Sequence, residues 1–498
     1  MNKEGYVPKE QRKKVLLITD DIRSNSGVGN VGREFVLQTA HHYNFACIAG
    51  SINHPEVGKR LDLSQDTNTH AGINDAYVNL YPTNGYGDAN LVRQLIKLEK
   101  PDIIFLITDP RYFIWLFQIE NEIRKKGIKI CYLNIWDSPT PYPIWNQPYY
   151  QSCDLLMGIS KQTVNINKVV LDQGNIAWNE IEGDIDLKAD KKEIFISYVP
   201  HGINEGIFKP ISEGDVDYPK LVQFKKDLFR GKEYDFVLFF NSRNIRRKQV
   251  ADTILAYKLF IDQLSIEKAK KCAIVLHTQI VDDNGTDLEA VREYLLDGEQ
   301  YNLIFSDKPL PPDYMNLLYN SSDCQILLTS NEGWGLSLTE ALLVGKPIIA
   351  NVQGGMQDQM RFEDENGKWI NFSLDFPSNH RGTYLKHGEW AFPVFPSNIS
   401  IQGSPMTPYI SDDRCRPEDA ALQIFKVYNL PKDERKKKGL AGREWALSKE
   451  AGLTAKKMGE RIILAIDKTI DESKPREKYE LVNAINQPNK SIKHKFIY

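Results

Sequence analysis

The chain has 498 residues, 41% of them hydrophobic and 26% charged, a water-soluble globular composition with length for about three average domains or two large ones. Lys and Arg number 63 against 66 Asp and Glu, and a net charge of −3 argues against a whole-chain polyanion binder while leaving room for a local basic patch. No apolar run approaches the ~18 residues of a membrane span, and the polar stretch 1–14 with the short run 15–18 lacks a signal-peptide core, so a cytoplasmic protein is expected.

The first half alternates short apolar runs with amphipathic stretches. Strands are predicted at 15–19, 45–49, 76–80, 103–107, 128–135 and 155–159, with helices between them at 31–43, 89–100, 112–126 and 161–171. Near-continuous Ile, Leu and Val runs separated by helices of this length indicate a parallel sheet covered on both faces. Residues 173–193 are polar and acidic and read as a surface excursion before a strand at 194–199. After Pro200-His201-Gly202 and a polar linker the rhythm restarts: strands at 237–241, 273–277, 303–306, 324–328 and 347–350, helices at 250–264, 287–296, 314–319 and 337–344. The tail from 416 to about 470 is helix-rich and Lys-rich, and the last twenty residues read as frayed. The expectation is an α/β chain of two consecutive doubly wound units facing each other, with ligands in the cleft beyond the carboxyl ends of the strands.

The six cysteines are scattered with no CxxC pair, and the nine histidines contain no HExxH. Buried thiols in a reducing compartment and no zinc site follow. Two Asp-x-Asp matches, Asp184-Ile-Asp186 and Asp215-Val-Asp217, lie in polar linkers and read as solvated turn acids rather than metal ligands.

Three segments could carry chemistry. DDIRSNSGVGNVG (20–32) follows the first strand and opens the first helix. Gly27, Gly29 and Gly32 imitate a dinucleotide fingerprint and would let a phosphate approach the helix N-terminus, although an ordinary tight turn fits as well. The acidic ribose-binding residue about 20 positions on is missing, which weakens a nicotinamide reading. NSRNIRRK (241–248) crowds Arg243, Arg246, Arg247 and Lys248 at the carboxyl end of a strand, where they could neutralise a diphosphate or simply form a solvated charge run. SNEGWGLSLTEALLVGKP (330–347) places a glycine-bearing loop ahead of a helix. Glu332 sits in that loop and Glu340 just over one turn inside the helix, so both carboxylates can face one site.

Residues 332–350, EGWGLSLTEALLVGKPIIA, resemble the E-x7-E signature of the retaining GT-B glycosyltransferases of family 4, the glycosyl transferases group 1. Arg243 and Lys248 share the five-residue spacing of that family's diphosphate ligands. Gly27-Val-Gly29 is similar to its N-terminal glycine loop, residues 199–204 with 208–210 to its interdomain segment, and 153–160 to its last N-domain strand. The resemblance implies a GT-B fold: an N-terminal Rossmann-like domain on the acceptor side (1–204), a linker (205–232), and a C-terminal donor domain (233–440) with an insertion at 371–416. The C-terminal helices (441–498) would pack back toward the N-terminal domain.

It also implies transfer of a sugar from a nucleotide-diphosphate sugar to an acceptor with retention, without metal or other cofactor. Glu332, Arg243, Lys248 and Asp137 would be catalytic. Gly27, Gly29, Arg243, Lys248, Ser306, Glu332, Gly333, Gly335, Leu336 and Glu340 would bind the donor. The family's histidine near the sugar 6-hydroxyl is absent from LNIWD (133–137), where Asp137 or Asn134 would stand in. The loop 136–150, WDSPTPYPIWNQPYY, suggests an acceptor platform of Trp136, Trp145 and Tyr149, or else plain packing under a proline-stiffened loop. The acceptor stays open between glycan, lipid-linked, protein and modified nucleic acid, with peripheral membrane contact conceivable through the lysines of 432–438. An inactive nucleotide-sugar-binding protein or an epimerase is the alternative.

Overall fold

The computed structural model describes residues 4–51, 53–138, 142–181, 194–372, 378–405 and 407–473. The Asp184-Ile-Asp186 match, most of the acidic excursion and the last twenty residues lie outside them.

Nine strands form the first sheet: β1 (Lys13–Asp20), β2 (Tyr43–Gly50), β3 (Leu61–Asp62), β4 (Val78–Pro82), β5 (Ile103–Ile107), β6 (Lys129–Asn134), β7 (Leu155–Gly158), β8 (Trp178–Ile181) and β9 (Ile194–Tyr198). Their order is β3-β4-β2-β1-β5-β6-β7-β9-β8, parallel except for the short β3 against β4. Val15, Leu16, Leu17 and Ile18 of β1 are all 0% exposed, because helices cover both faces and alternation has no solvent side to respond to. Side chains at the helix starts fix where each crossover begins: Ser26 accepts from the Gly29 amide, Asp88 from Asn90 and Leu91, and Ser160 from Thr163.

The second sheet holds β10 (Phe236–Asn241), β11 (Cys272–His277), β12 (Leu303–Ser306), β13 (Cys324–Leu327), β14 (Ile348–Asn351) and β15 (Ala391–Val394), all parallel in the order β12-β11-β10-β13-β14-β15. A separate antiparallel hairpin, β16 (Asn398–Ser404) with β17 (Thr407–Arg414), follows directly.

Several expected elements differ, among them the helix predicted at 31–43, which runs Gly27–Thr39. The strand predicted at 76–80 runs Val78–Pro82. The predicted helix 112–126 is broken into a 3-10 turn at Pro110–Phe113 and two short helices, Ile114–Gln118 and Glu120–Arg124, because the Ile119 amide bonds back to Leu116 and closes a tighter turn. The stretch 205–232, read as a linker, contains the helix Tyr218–Leu228, which starts on Pro219, buries Leu221 and packs Phe224 against Tyr314. The stretch 371–416 supplies β15 to the sheet as well as the hairpin.

The chain crosses between the two sheets twice, side by side. Ile203 pairs with Thr454 in an isolated parallel bridge, with Ile203 N donating to Leu453 O and Ala455 N to Ile203 O. The last described helix, Ala455–Glu472, then packs on the helix Gly27–Thr39, burying Met458, Ile462, Ala465 and Ile466. Tyr43 fixes it by donating to Asp467 Oδ1 at 2.7 Å. Among the described residues no helix is long and apolar enough to cross a membrane.

Candidate functional site

The carboxyl ends of the two sheets meet at loops, and glycines mark the approach. A Cβ on Gly333, in the loop after β13, would lie 2.9 Å from the Ile135 carbonyl in the loop after β6. A Cβ on Gly27 would touch Leu336 at 3.4 Å, so the first glycine loop faces the start of the helix Leu336–Leu343. Gly335 holds φ +86°, the left-handed conformation that turns the loop into that helix and aims its free amides at the cleft.

Lys248 Nζ donates to Glu332 Oε2. Arg247 Nη1 donates to the Asn331 carbonyl and approaches Glu332 Oε2 at 3.4 Å. The same guanidinium lies 3.8 Å from Asp137 Oδ2, which comes from the opposite sheet. Three elements thus bring one lysine, one arginine and two carboxylates together: the 3-10 turn Arg246–Lys248, the loop after β13 and the loop after β6.

Burial opposes the charge on Glu332, yet Lys248 and Arg247 hold its carboxyl below the usual range. Burial, with Arg247 beside it, lowers the Lys248 ammonium. Asp137 is pushed up to about 6 by burial and by Glu332, against the pull of Arg247 and Lys248. Asn134, the other residue expected in place of the family histidine, is fully buried and bonds Asn167 Oδ1 at 2.6 Å. Only Asp137 therefore reaches the cleft.

Arg243 does not join this group: its exposed guanidinium is closed on Asp282 at 2.7 Å. Arg246 is held at 2.5 Å by the buried Asp412 of β17. Glu340 accepts from Tyr319 Oη at 2.6 Å and from Asn241 Nδ2 at 3.4 Å, and burial raises it to about 7 despite those donors. Ser306 stands at the end of β12 and bonds His277 Nδ1 at 2.9 Å.

The loop expected to offer an aromatic platform turns its rings into protein. Trp136 is buried, donates Nε1 to the Ser138 carbonyl and meets Trp145 edge-on. Trp145 is met in turn by Tyr409 of β17 at 4.1 Å, and Tyr149 stacks on Phe117 at 5.4 Å. The hairpin thus reaches across to the first half, and Ser411 N also donates to Ser138 Oγ at 2.7 Å.

Three contributors were not singled out from the sequence, although Arg247 stood in the cation run. Arg247, not Arg243, stands beside Lys248, because the 3-10 turn puts consecutive residues where spacing alone favours the residue five back. Gln353 Oε1 accepts from Glu332 N at 2.8 Å and so positions that carboxylate's backbone. His201, in the crossing segment, is buried near Glu332 and pushed down to about 4 by burial. The Pro-His-Gly string was noticeable, but only the fold brings it beneath β13's loop.

Two facing Rossmann-like units with this cleft define the GT-B fold. Comparison with solved structures places the chain among GT-B glycosyltransferases in architecture. Sucrose-phosphate synthase from Thermosynechococcus elongatus superposes with TM-score 0.60 at 12% identity, covering 92% of this chain and 100% of that one. Anabaena HepE in complex with UDP and glucose gives 0.58 at 12%, covering 92% and 100%. A glycosyltransferase from Rickettsia africae gives 0.57 at 15%, covering 93% and 100%. In sequence, residues 225–373 match the family described as glycosyl transferases group 1, which contains Lys248, Glu332 and Glu340. No curated protein matches the chain.

Proposed function

We propose that this protein is a retaining glycosyltransferase that moves a sugar from a nucleoside-diphosphate donor bound on the second sheet to a hydroxyl bound on the first. The observation that carries the reading is the convergence of Arg247, Lys248 and Glu332, inside the segment that matches a glycosyltransferase family, with Asp137 from across the cleft.

In this reading the diphosphate takes Arg247 and Lys248 from Glu332, and the helix amides behind Gly335 bind it from the other side. Arg243 contributes after leaving Asp282. Gly29 and Gly27 let the first loop close on the phosphates, and Ser306 sits beside the base. Glu332, released from Lys248, accepts donor-sugar hydroxyls, while Glu340 accepts from the ribose. The C1–O bond to the diphosphate breaks, the acceptor oxygen bonds C1 on the same face, and the acceptor proton passes to the leaving phosphate oxygen. Preorganised charge and positioning supply the rate. Asp137 occupies the position where the 6-hydroxyl of a hexose would be held. In this reading the cations supply the leaving group's charge balance without a resident metal, and EDTA is expected to leave the rate unchanged. The free cysteines, five of the six buried, fit a reducing cytoplasm.

The test is nucleotide release from UDP-, GDP-, ADP- and TDP-sugars. UDP-glucose comes first, because HepE was solved with it and the E. coli trehalose-phosphate structure holds UDP-2-fluoro-glucose. Hydrolysis of one donor, lost in Glu332→Ala, supports the reading. No turnover and no thermal shift with any donor overturns it. Anomeric NMR of the product reads retention or inversion directly.

A further inference from the structure

The strand order of the first sheet reverses at β1. From β1 the chain turns to β2 on one side, and only after β4 does it return to β5 on the other. Loops leaving β1 and β5 therefore diverge and open a crevice at the carboxyl edge. The side chains assembled there are distinct from Arg247, Lys248 and Glu332, although the loop leaving β1 also carries Gly27 and Gly29.

On the β5 side Thr108 holds φ +111°, a costly conformation for a branched residue, with its carbonyl pinned by Tyr132 Oη at 2.8 Å. Asp109 caps the turn that follows and grips Arg111 through both ends of the guanidinium, Nε at 2.8 Å and Nη2 at 2.5 Å. The next residue, Tyr112, leaves its ring 53% exposed and leans on Tyr86 at 4.9 Å. On the β1 side Asp20 accepts from Tyr86 Oη and Ser26 Oγ, both at 2.6 Å. The Arg111 guanidinium lies 6.0 Å from the Trp136 ring, and the residue after Trp136 is Asp137, which touches Arg247. An aromatic face and an arginine–carboxylate fork thus stand beside the donor cations.

Building on the transferase reading, we propose that this crevice is the acceptor subsite and that it takes a neutral sugar ring, not a sugar phosphate or other anion. The Tyr112 face stacks on the apolar face of a pyranose, and the Asp109–Arg111 fork offers paired acceptor and donor atoms to vicinal hydroxyls. Charge decides the class. Arg111 is closed on Asp109, and Arg23 on Asp21 at 2.7 Å. A phosphate would have to break those pairs and then face Asp20, Asp21 and Asp109 uncompensated, whereas hydroxyls bond to both members of a pair without separating them.

The experiment uses the full chain. Nucleotide release from the active donor is followed with free neutral disaccharides (maltose, cellobiose, lactose), with their octyl glycosides, and with glucose 6-phosphate and fructose 6-phosphate. Saturation-transfer NMR reads saccharide binding independently of turnover. Neutral saccharides are expected to stimulate release where the phosphates do not, and octyl glycosides alone doing so would place the sugar on a lipid carrier. Tyr112→Ala should raise acceptor KM about tenfold, the equivalent of one lost stacking contact, with donor KM little changed, and Tyr112→Phe should restore it. Stimulation by the sugar phosphates, or an unchanged acceptor KM in Tyr112→Ala, overturns the proposal. Saccharide binding that is lost in Tyr112→Ala, in a protein that turns over no donor, would sink the transferase reading and leave the crevice standing. Absence of both binding and stimulation overturns the crevice.

Discussion

Lys248 donates to Glu332, and in the proposed reading the same ammonium would turn to the donor diphosphate. Lys248→Ala should therefore cut kcat/KM by about a hundredfold or more, in the range seen for loss of one transition-state donor, measured by donor hydrolysis. Arg247→Ala should cost more than Arg243→Ala, because Arg243 first has to leave Asp282. Glu340 gives a pH signature. Its carboxyl is raised to about 7, so the fold favours its neutral form, and the stability this contributes is present at low pH and lost as pH rises through about 7. Ribose hydroxyls favour the charged form. Donor Kd should thus fall between pH 5.5 and 8 by about tenfold, one unit of proton linkage, and become flat in Glu340→Gln. Isothermal titration across that range checks both.

Among the elements, the hairpin β16–β17 is tied to the donor machinery by Asp412 and Arg246. Asp412→Asn weakens that pair and frees a cation toward the diphosphate, so donor Kd should tighten by about threefold, the effect of one weakened charge-assisted bond. The helix Ala455–Glu472 is a purely structural counterpart. Ile462→Ala removes buried methyl groups against the first helix and should cost about 2–4 kcal/mol in urea unfolding. These elements also show how far the sequence could be read. β1, β5 and β10 were legible because unbroken apolar runs have one outcome in a covered parallel sheet. The loop-to-helix step that carries Glu332 and Glu340 was legible because a glycine loop entering an apolar helix is a local pattern. The helix Tyr218–Leu228 was passed over although Leu221, Phe224 and Leu228 recur at helical spacing, because polar stretches on either side made the whole of 205–232 read as a linker. Arg247 and Asp137 meet across a separation of 110 positions that no local pattern encodes. In the aromatic loop, the contact of Trp145 with Tyr409 could not be read from sequence, because Tyr409 lies far along the chain.

For the molecule as a whole, the side-by-side crossings at Ile203 and Thr454 mean that the second sheet hangs from the first by two adjacent strands of chain. Lys161 adds to the cross-half contacts of the hairpin: its amide donates to Asp358 Oδ2 at 2.9 Å and its ammonium sits 3.6 Å over the Trp369 ring. Topologically, everything from 205 to 453 is a loop that leaves and re-enters the first unit at one place. A gene lacking that stretch, with 204 joined to 454 by a few glycines, should still yield a folded product, because the helix that seals the first core would remain attached. The second half is in this sense a cassette, and if it holds the donor as proposed, related cassettes spliced at the same two positions should exchange donor preference while leaving the first half intact.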